Sequence, residues 1–368
     1  MRITAVQGCN LRAAIDEPFE WPDGSAHERR AGVVWIETDA GLVGWGPAGH
    51  GWSRTIERAI SSILVGRSPL ETWPLWREMD ARRVPMGVRG AIDVALWDLK
   101  GQALGVPIHT LLGGALRDRV PAYATGGYYG LPEDSMGWLQ DKVGEAVDRG
   151  FRAYKMKIGA RDPAYDLRRV DAVQQVLGGA RRLAVDATTT YTRPLAMRVV
   201  PELEARDILW FEDPLPADDV DGYALLTQQC RVAITAHYGA VFGQLEALLR
   251  RRAVDQVQPN IAGGGGYTMA LQTMGMARMQ HVVYDPSCWS THLHIAATLH
   301  LLAVMPSQLR RLRDAPPMIE FDTSCNPLRD DSLLVEPIDV EADGTVRVPD
   351  GPGLGVTVNE DVIARYAV

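Results

Sequence analysis

From about residue 120 the chain alternates short apolar or β-branched runs with stretches whose apolar positions recur every three or four residues. The runs fall at 120–128, 153–158, 182–187, 208–212, 232–236, 255–261, 281–284 and 317–321. Short β-rich runs predict strands and the longer spacing predicts amphipathic helices. Leu167, Val170, Val173 and Leu177 trace one helical stripe, and Phe242, Leu245 and Leu249 another. Arg193-Pro194 fits a helix start, whereas Pro201 predicts a kink or split in the helix that follows. Eight strands alternating with helices over about 200 residues favour a parallel (β/α) barrel over an open doubly wound sheet.

The first third is patterned differently, as an α+β unit. Residues 2–8, 32–38 and 42–46 predict strands, the last two joined through Thr38-Asp39-Ala40-Gly41. Residues 14–30 are rich in Pro, Gly, Trp and charge and predict a long loop carrying Phe19, Trp21, His27 and Arg29. Such a loop is either a cover for substrate or a plain surface excursion. Helices are predicted over 53–65, 75–82 and 88–104, the last with Ile92, Leu96, Leu99 and Leu104 on one stripe and Gly105-Val106-Pro107 as its stop. After the eighth run, 335–348 reads as extended chain, 349–356 is a Gly/Pro segment, and a short helix follows. The expected division is a first domain over 1–118, a barrel over 119–334, and a tail from about 335 to 368 that returns to the first domain.

Polar residues close the barrel runs at a steady interval. Lys157 to Asp186 is 29 residues, Asp186 to Glu212 is 26, Glu212 to His237 is 25, His237 to Asn260 is 23 and Asn260 to Ser287 is 27. Each interval is one strand-loop-helix-loop unit, and the C-terminal ends of barrel strands converge on one mouth. In the second run the period of two points Lys155 and Lys157 the same way. Taken alone, such a pair reads as rim charge; the spacing downstream makes it part of a site.

Composition narrows the partners. With 368 residues and 46% hydrophobic composition the chain can bury a large core. A formal charge of −8 without a concentrated basic stripe argues against nucleic acid. Arg250, Arg251 and Arg252, and likewise Arg310, Arg311 and Arg313, sit beside helical spacing and read as solvated helix faces. Cys9, Cys230, Cys288 and Cys325 show no CxxC spacing, so neither a disulfide framework nor a zinc site is indicated, and they read as reduced thiols. The alternating start Met1-Arg2-Ile3-Thr4-Ala5-Val6 lacks signal-peptide features, and no apolar stretch approaches membrane-spanning length. The expectation is a cytoplasmic protein with no membrane partner. The glycine run 263–266 lacks the GK[ST] of a P-loop, and no GxSxG elbow is present.

Several stretches together carry a resemblance: AIDVALWDLKGQALGVPIHTLLGG, KMKIG, VDAT, WFEDPLP, DQVQPN before a Gly-rich turn, and VPDGPGLGV. In this order and spacing, over nearly the whole chain, they resemble the mandelate racemase/muconate lactonizing enzyme branch of the enolase superfamily. The resemblance implies an α/β fold, a modified TIM barrel (β/α)7β with an N-terminal α+β capping domain completed by the tail. It implies removal of the proton α to a carboxylate with a divalent ion, Mg²⁺, stabilising the charge that forms. It places Asp186 and Glu212 as the first two metal ligands, Lys157 as the base and Lys155 beside it. The like charge of Lys155 is expected to lower the pKa of Lys157. Glu320, in MIEFD, matches either an acid that contacts the substrate carboxylate or a structural group. A small-molecule carboxylate is the implied partner, and a homo-oligomer the implied assembly.

Departures from the pattern matter as much. His237 stands where the family places the third ligand, usually Glu. It reads as a metal ligand of altered preference, admitting Mn²⁺ or another divalent ion, as an acid/base or substrate-contacting residue, or as the relic of a weakened site. Ser287 and Asn260 occupy the positions of the His-Asp dyad that racemases and many dehydratases of the family use, and the sixth strand ends without a lysine. Two-base racemisation is therefore disfavoured. Asp285 is a possible substitute on the seventh strand, with Tyr128 and Tyr129 at the end of the first, while His292 and His294 read as helix-surface or loop residues. Substrate contacts are expected from Trp21, His27, Tyr128, Asp285 and Ser287, and specificity from residues 14–30 and 50–52. Two functions remain: an acid-sugar dehydratase or cycloisomerase with a single Lys base, or a homologue without turnover that binds or regulates.

Overall fold

The computed structural model describes residues 1–56, 60–130, 135–238, 243–307 and 317–368. Phe242, Arg310, Arg311, Arg313 and part of the helix expected over 53–65 lie outside the described residues.

Among the described residues eight parallel strands form the barrel: β4 (Arg119–Gly126), β6 (Ala153–Lys157), β7 (Arg182–Asp186), β8 (Trp210–Glu212), β9 (Ala233–Ala236), β10 (Gln256–Val257), β11 (Val283–Tyr284) and β12 (Ile319–Asp322). They lie in chain order, with β12 returning beside β4 in parallel register, Glu320 opposite Tyr123. Helices separate them, and the sequence sets their starts. Ser135 accepts from the Trp138 amide and Asp162 from the Tyr165 amide, the latter just before Pro163. Val170, Val173 and Leu177 of the predicted stripe are buried, as expected of a barrel-facing side. Pro201 does not split its helix, which runs unbroken over Arg193–Ala205. Its ring lies on the exposed side, where water can serve the carbonyl that loses an amide partner.

The largest departure from expectation is the segment 14–30. It is no loop: β1 (Ile3–Trp21) and β2 (Gly24–Thr38) form one long antiparallel hairpin, closing with Trp21 opposite Gly24. The alternation is hidden because the register shifts between Ala14 and Phe19, the stretch that contains Pro18. The hairpin tip reaches the barrel, where Phe19 and Glu20 pair with Gly130 and Tyr129 of β5 (Tyr129–Gly130). On the other side β2 pairs with β3 (Val43–Ala48).

The helix Met86–Leu104 joins the two sheets. Ile92, Leu96 and Leu99 are buried, but Leu104, expected on the same stripe, is 55% exposed at the last turn before Gly105. The helix touches the barrel at Gly90, where a Cβ would stand 1.9 Å from the Ala262 carbonyl oxygen. Asp93 accepts from the Thr268 amide at 2.9 Å and its hydroxyl at 2.6 Å, and Trp97 Nε1 donates to the same hydroxyl. Burial pushes the Asp93 carboxyl up to about 7 against those bonds. The tail contributes β13 (Thr345–Arg347), antiparallel to β4, and its last residue donates from the Val368 amide to the Asn10 carbonyl at 3.0 Å. No described helix is long and apolar enough to cross a membrane.

Candidate active site

Strands β6, β7 and β8 end on Lys157, Asp186 and Glu212, and the parallel register sets Lys157 beside Asp186 and Asp186 beside Glu212. Side chains that a sequence interval of one βα unit separates thus become neighbours. Beneath them Tyr123 and Trp210 meet edge to face at 5.3 Å and plug the barrel, and Trp210 Nε1 donates to Glu212 at 3.0 Å. Above them is a cavity of about 240 Å³ lined by Lys155, Lys157, Asp186, Glu212, His237 and Glu320, among others. It falls below the roughly 300–1,000 Å³ of drug-sized ligand sites, which suits a small substrate.

The charges form one buried network. Lys155 Nζ donates to Glu212 at 2.8 and 3.0 Å, pairs with Glu320 at 2.9 Å and lies 3.9 Å from Asp186. Lys157 Nζ donates to Asp186 Oδ2 at 2.5 Å and to the Thr188 hydroxyl at 3.2 Å. Burial disfavours the Lys155 ammonium, yet Glu212 and Glu320 outweigh it and hold the group well above the ordinary lysine range. Asp186 goes the other way: burial opposes its charge, but Lys157, Lys155 and the Thr188 amide hold it far below the usual carboxylate range. Glu212 is raised by burial and by crowding from Asp186, Glu320 and Asp213, which Lys155 only partly offsets. Glu320 is lowered despite burial, by Lys155, by the Thr125 hydroxyl at 2.7 Å and by the Cys288 amide at 2.7 Å.

Backbone strain is found at two of the same strand ends. Thr188, Thr189 and Asp213 adopt positive φ values of 48°, 64° and 42°, unusual for residues with a Cβ and especially for threonine. At Thr188 the turn brings the amide to Asp186 Oδ1 at 2.8 Å.

Asp186 and Glu212 have the donor chemistry of a site for a hard divalent ion, being buried carboxylates beside an open cavity. Among the described residues the group that completes a set with ligand atoms within 4.8 Å is Asp213, which the sequence reading did not single out, and not His237. The oxygens of Asp213 are partly committed, accepting from the His237 amide at 2.9 Å and the Tyr238 amide at 3.2 Å, and burial lifts its carboxyl to about 6. His237 lies in the cavity wall with Nδ1 at 2.7 Å from the Gln258 carbonyl oxygen and 3.1 Å from Ser287 Oγ. A carbonyl accepts and cannot donate, so Nδ1 carries a proton.

The expected substrate contacts divide. Trp21, Tyr128 and Ser287 line the cavity. His27 does not: it sits on an exposed position of β2, in an adjoining hollow of about 440 Å³ that shares Trp21 and Trp289 with the first. Asp285 is a second correction, since it turns into the barrel wall. It accepts from the Gln256 side chain and the Met318 amide, each at 3.3 Å, linking β11 to the start of β12, and burial raises it to about 8. Tyr129 also points away, donating to Asp166 at 2.5 Å. Residues 50–52 do not line the cavity. His292 and His294 are buried rather than on a helix surface, because the helix His292–Val304 packs apolar side chains all round.

Three cavity residues had no distinct sequence signal: Thr125, Tyr238 and Trp289. Trp289 stands in a polar loop, the one hint available. Its ring lies under the Arg29 guanidinium at 3.9 Å, and its Nε1 donates to the Tyr128 hydroxyl at 2.6 Å. Arg29 in turn pairs with Asp322, so an arginine of the hairpin fixes the aromatic wall of the barrel mouth.

Known proteins give this geometry its context. Residues 3–113 match the family described as mandelate racemase/muconate lactonizing enzyme, N-terminal domain, and residues 138–362 match the enolase C-terminal domain-like family. D-galactarolactone cycloisomerase of Agrobacterium fabrum is 34% identical over 382 residues, covering 100% of this chain and 99% of that one. Arabinonate dehydratase of Saccharolobus solfataricus is 33% identical over 345 residues, covering 90% and 89%. A racemase from Streptomyces coelicolor A3(2), solved with bound magnesium, superposes with a TM-score of 0.86 at 25% identity over 100% of both chains. These likenesses span both sheets and the site, and they identify the modified TIM barrel with its α+β cap. The chain is an enzyme of the mandelate racemase/muconate lactonizing enzyme family of the enolase superfamily, whose members include acid-sugar dehydratases and cycloisomerases.

Proposed function

We propose that this enzyme removes the proton α to the carboxylate of a small hydroxylated acid, an acid sugar or its lactone, with Lys157 as its base. β-Elimination follows, dehydrating the acid or opening the ring. The observation that carries this reading is Lys157 Nζ at the cavity wall, 2.5 Å from Asp186 and 3.2 Å from Thr188. Ser287 and Asn260, also on the wall, offer no imidazole-carboxylate pair for a second base. The likeness to a lactone cycloisomerase and a sugar-acid dehydratase supports the substrate class.

The neutral Lys157 amine takes the α-proton, and Asp186 with Thr188 then holds the ammonium that results. Electrons left at the α-carbon form the α,β double bond as the β C–O bond breaks, and the departing oxygen takes a proton from the Lys157 ammonium or from solvent, leaving as water or staying on the opened chain as a hydroxyl or carboxyl group. Asp186 and Glu212 would hold a divalent ion, Mg²⁺ or Mn²⁺, which supplies positive charge opposite the negative charge developing on the substrate carboxylate. Lys155 neutralises Glu212 and Glu320 beneath the reacting centre. Glu320 is ionised with both oxygens already accepting, which supports a structural role over a hydrogen bond to the substrate carboxylate. His237, with Nδ1 pinned at the Gln258 carbonyl, is read as a substrate-contacting residue, which leaves Lys157 as the base. The division at 118/119 into cap and barrel, a homo-oligomeric assembly and a cytoplasmic location complete the reading.

Proton NMR of a panel of C5 and C6 aldonates, aldarates and their lactones, with millimolar Mg²⁺, tests it. One class of acid sugar is consumed, giving a product lighter by one water or an isomer of equal mass. If no member of the panel is consumed or exchanges its α-proton, the reading fails.

A further inference from the structure

The helix His292–Val304 carries three buried histidines, and two of them are satisfied. His292 Nδ1 lies 3.0 Å from Ser332 Oγ. His300 accepts from the His109 amide at 3.3 Å and contacts the Leu354 carbonyl oxygen at 3.0 Å through Nε2. His294 differs: it is 7% exposed, its ring forms part of the active-site cavity wall, and its Nε2 is buried without a hydrogen-bond partner. A buried polar atom left unpaired is costly and calls for an explanation, of which an incoming ligand is one.

The ring's chemistry narrows what that ligand offers. Burial pushes His294 down to about 4, so the imidazole is neutral and presents one donor and one acceptor. A carboxylate would find better partners in ammonium groups, and a cation in the nearby Glu320. A hydroxyl, which both donates and accepts, matches a neutral imidazole. His294 lines the cavity from the helix that follows β11, where it feels the charge of Glu320, while the candidate base Lys157 and the candidate metal ligands Asp186 and Glu212 rise from β6, β7 and β8. We infer that His294 is a specificity-determining residue that hydrogen-bonds a hydroxyl of the sugar chain beyond the reacting carbons. This assignment rests on the proposed function for the choice of substrate, and the experiment keeps the two apart.

His294→Leu, close in size and unable to hydrogen-bond, and His294→Gln, which keeps a donor and an acceptor, are compared with wild type. The readout is kcat/KM on the best hexonate, hexarate or lactone and on glycerate, which has no hydroxyl beyond the β-carbon. His294→Leu lowers kcat/KM on the six-carbon substrate by about 10- to 100-fold, mainly through KM, leaves glycerate unchanged, and His294→Gln recovers part of the loss. An equal loss on both substrates means a structural role and overturns the assignment, and so does no loss on either, which means that water alone serves the ring. If wild type turns over nothing, the functional reading fails but the assignment is still decided by thermal shift with millimolar Mg²⁺ and galactarate or glycerate. Stabilisation by galactarate that His294→Leu abolishes supports it, and unchanged or absent stabilisation overturns it.

Discussion

Replacing Lys155 by methionine removes a cation that contacts both Glu212 and Glu320 while keeping most of the side chain's apolar stem. In the native protein its Nζ sits 2.8 Å from Glu212 and 2.9 Å from Glu320, and all three side chains are at most 4% exposed. Removing one partner of a buried ion pair costs about 3–5 kcal/mol, because the abandoned charge stays buried. With roughly 2.1 cal/mol/K of unfolding entropy per residue over 368 residues, that loss lowers the melting temperature by about 4–6 °C. Protonating the abandoned carboxylates relieves the penalty, so the deficit shrinks on acidification. A divalent ion bound by Asp186 and Glu212 relieves it too; at 100 times its Kd, it stabilises a folded protein by about 2.7 kcal/mol. The assay is thermal denaturation of wild type and Lys155→Met in EDTA and in Mg²⁺, at neutral and mildly acidic pH. A variant that melts within about 1 °C of wild type in EDTA would mean that Lys155 does not stabilise the buried carboxylates.

Two further predictions concern the contact between cap and barrel. Asp93, with a folded pKa of about 7 against 3.8 when exposed, holds its proton more tightly folded than unfolded. Its contribution is full below pH 3.8 and is lost as pH rises through about 7, a change on the order of 4 kcal/mol. Asp93→Asn therefore flattens the dependence of urea stability on pH between about 4 and 7, and an unchanged slope contradicts the assignment. Gly90→Ala sets a methyl 1.9 Å from the Ala262 carbonyl oxygen, a backbone atom that cannot swing aside. Overpacking of this kind costs roughly 1–3 kcal/mol or more, measured by urea denaturation, whereas a loss under about 0.5 kcal/mol would show that the helix slides freely.

How far the sequence discloses this molecule depends on how regular each part is. The barrel is legible because its strands recur at one-unit intervals and end on polar residues; Lys157, Asp186 and Glu212 fall into line by spacing alone. The hairpin over 14–30 is not, since Pro18 and a register shift erase the alternation that marks a strand. Periodicity also cannot say whether a polar residue near a strand end faces the mouth. Asp285 and Ser287 are two residues apart, yet one ties β11 to β12 and the other lines the cavity. His294 was misplaced because a helix apolar on every side has no surface face for it to occupy.

In the proposed reaction a single base works from one wall of the cavity. The most direct measurement follows deuterium uptake at the α-carbon in D₂O, with Mg²⁺, for both C2 epimers of the best substrate, using wild type and Lys157→Ala. Exchange or elimination is expected from one epimer alone, and is lost in Lys157→Ala. Exchange of both epimers, or uptake that survives in Lys157→Ala, would contradict it.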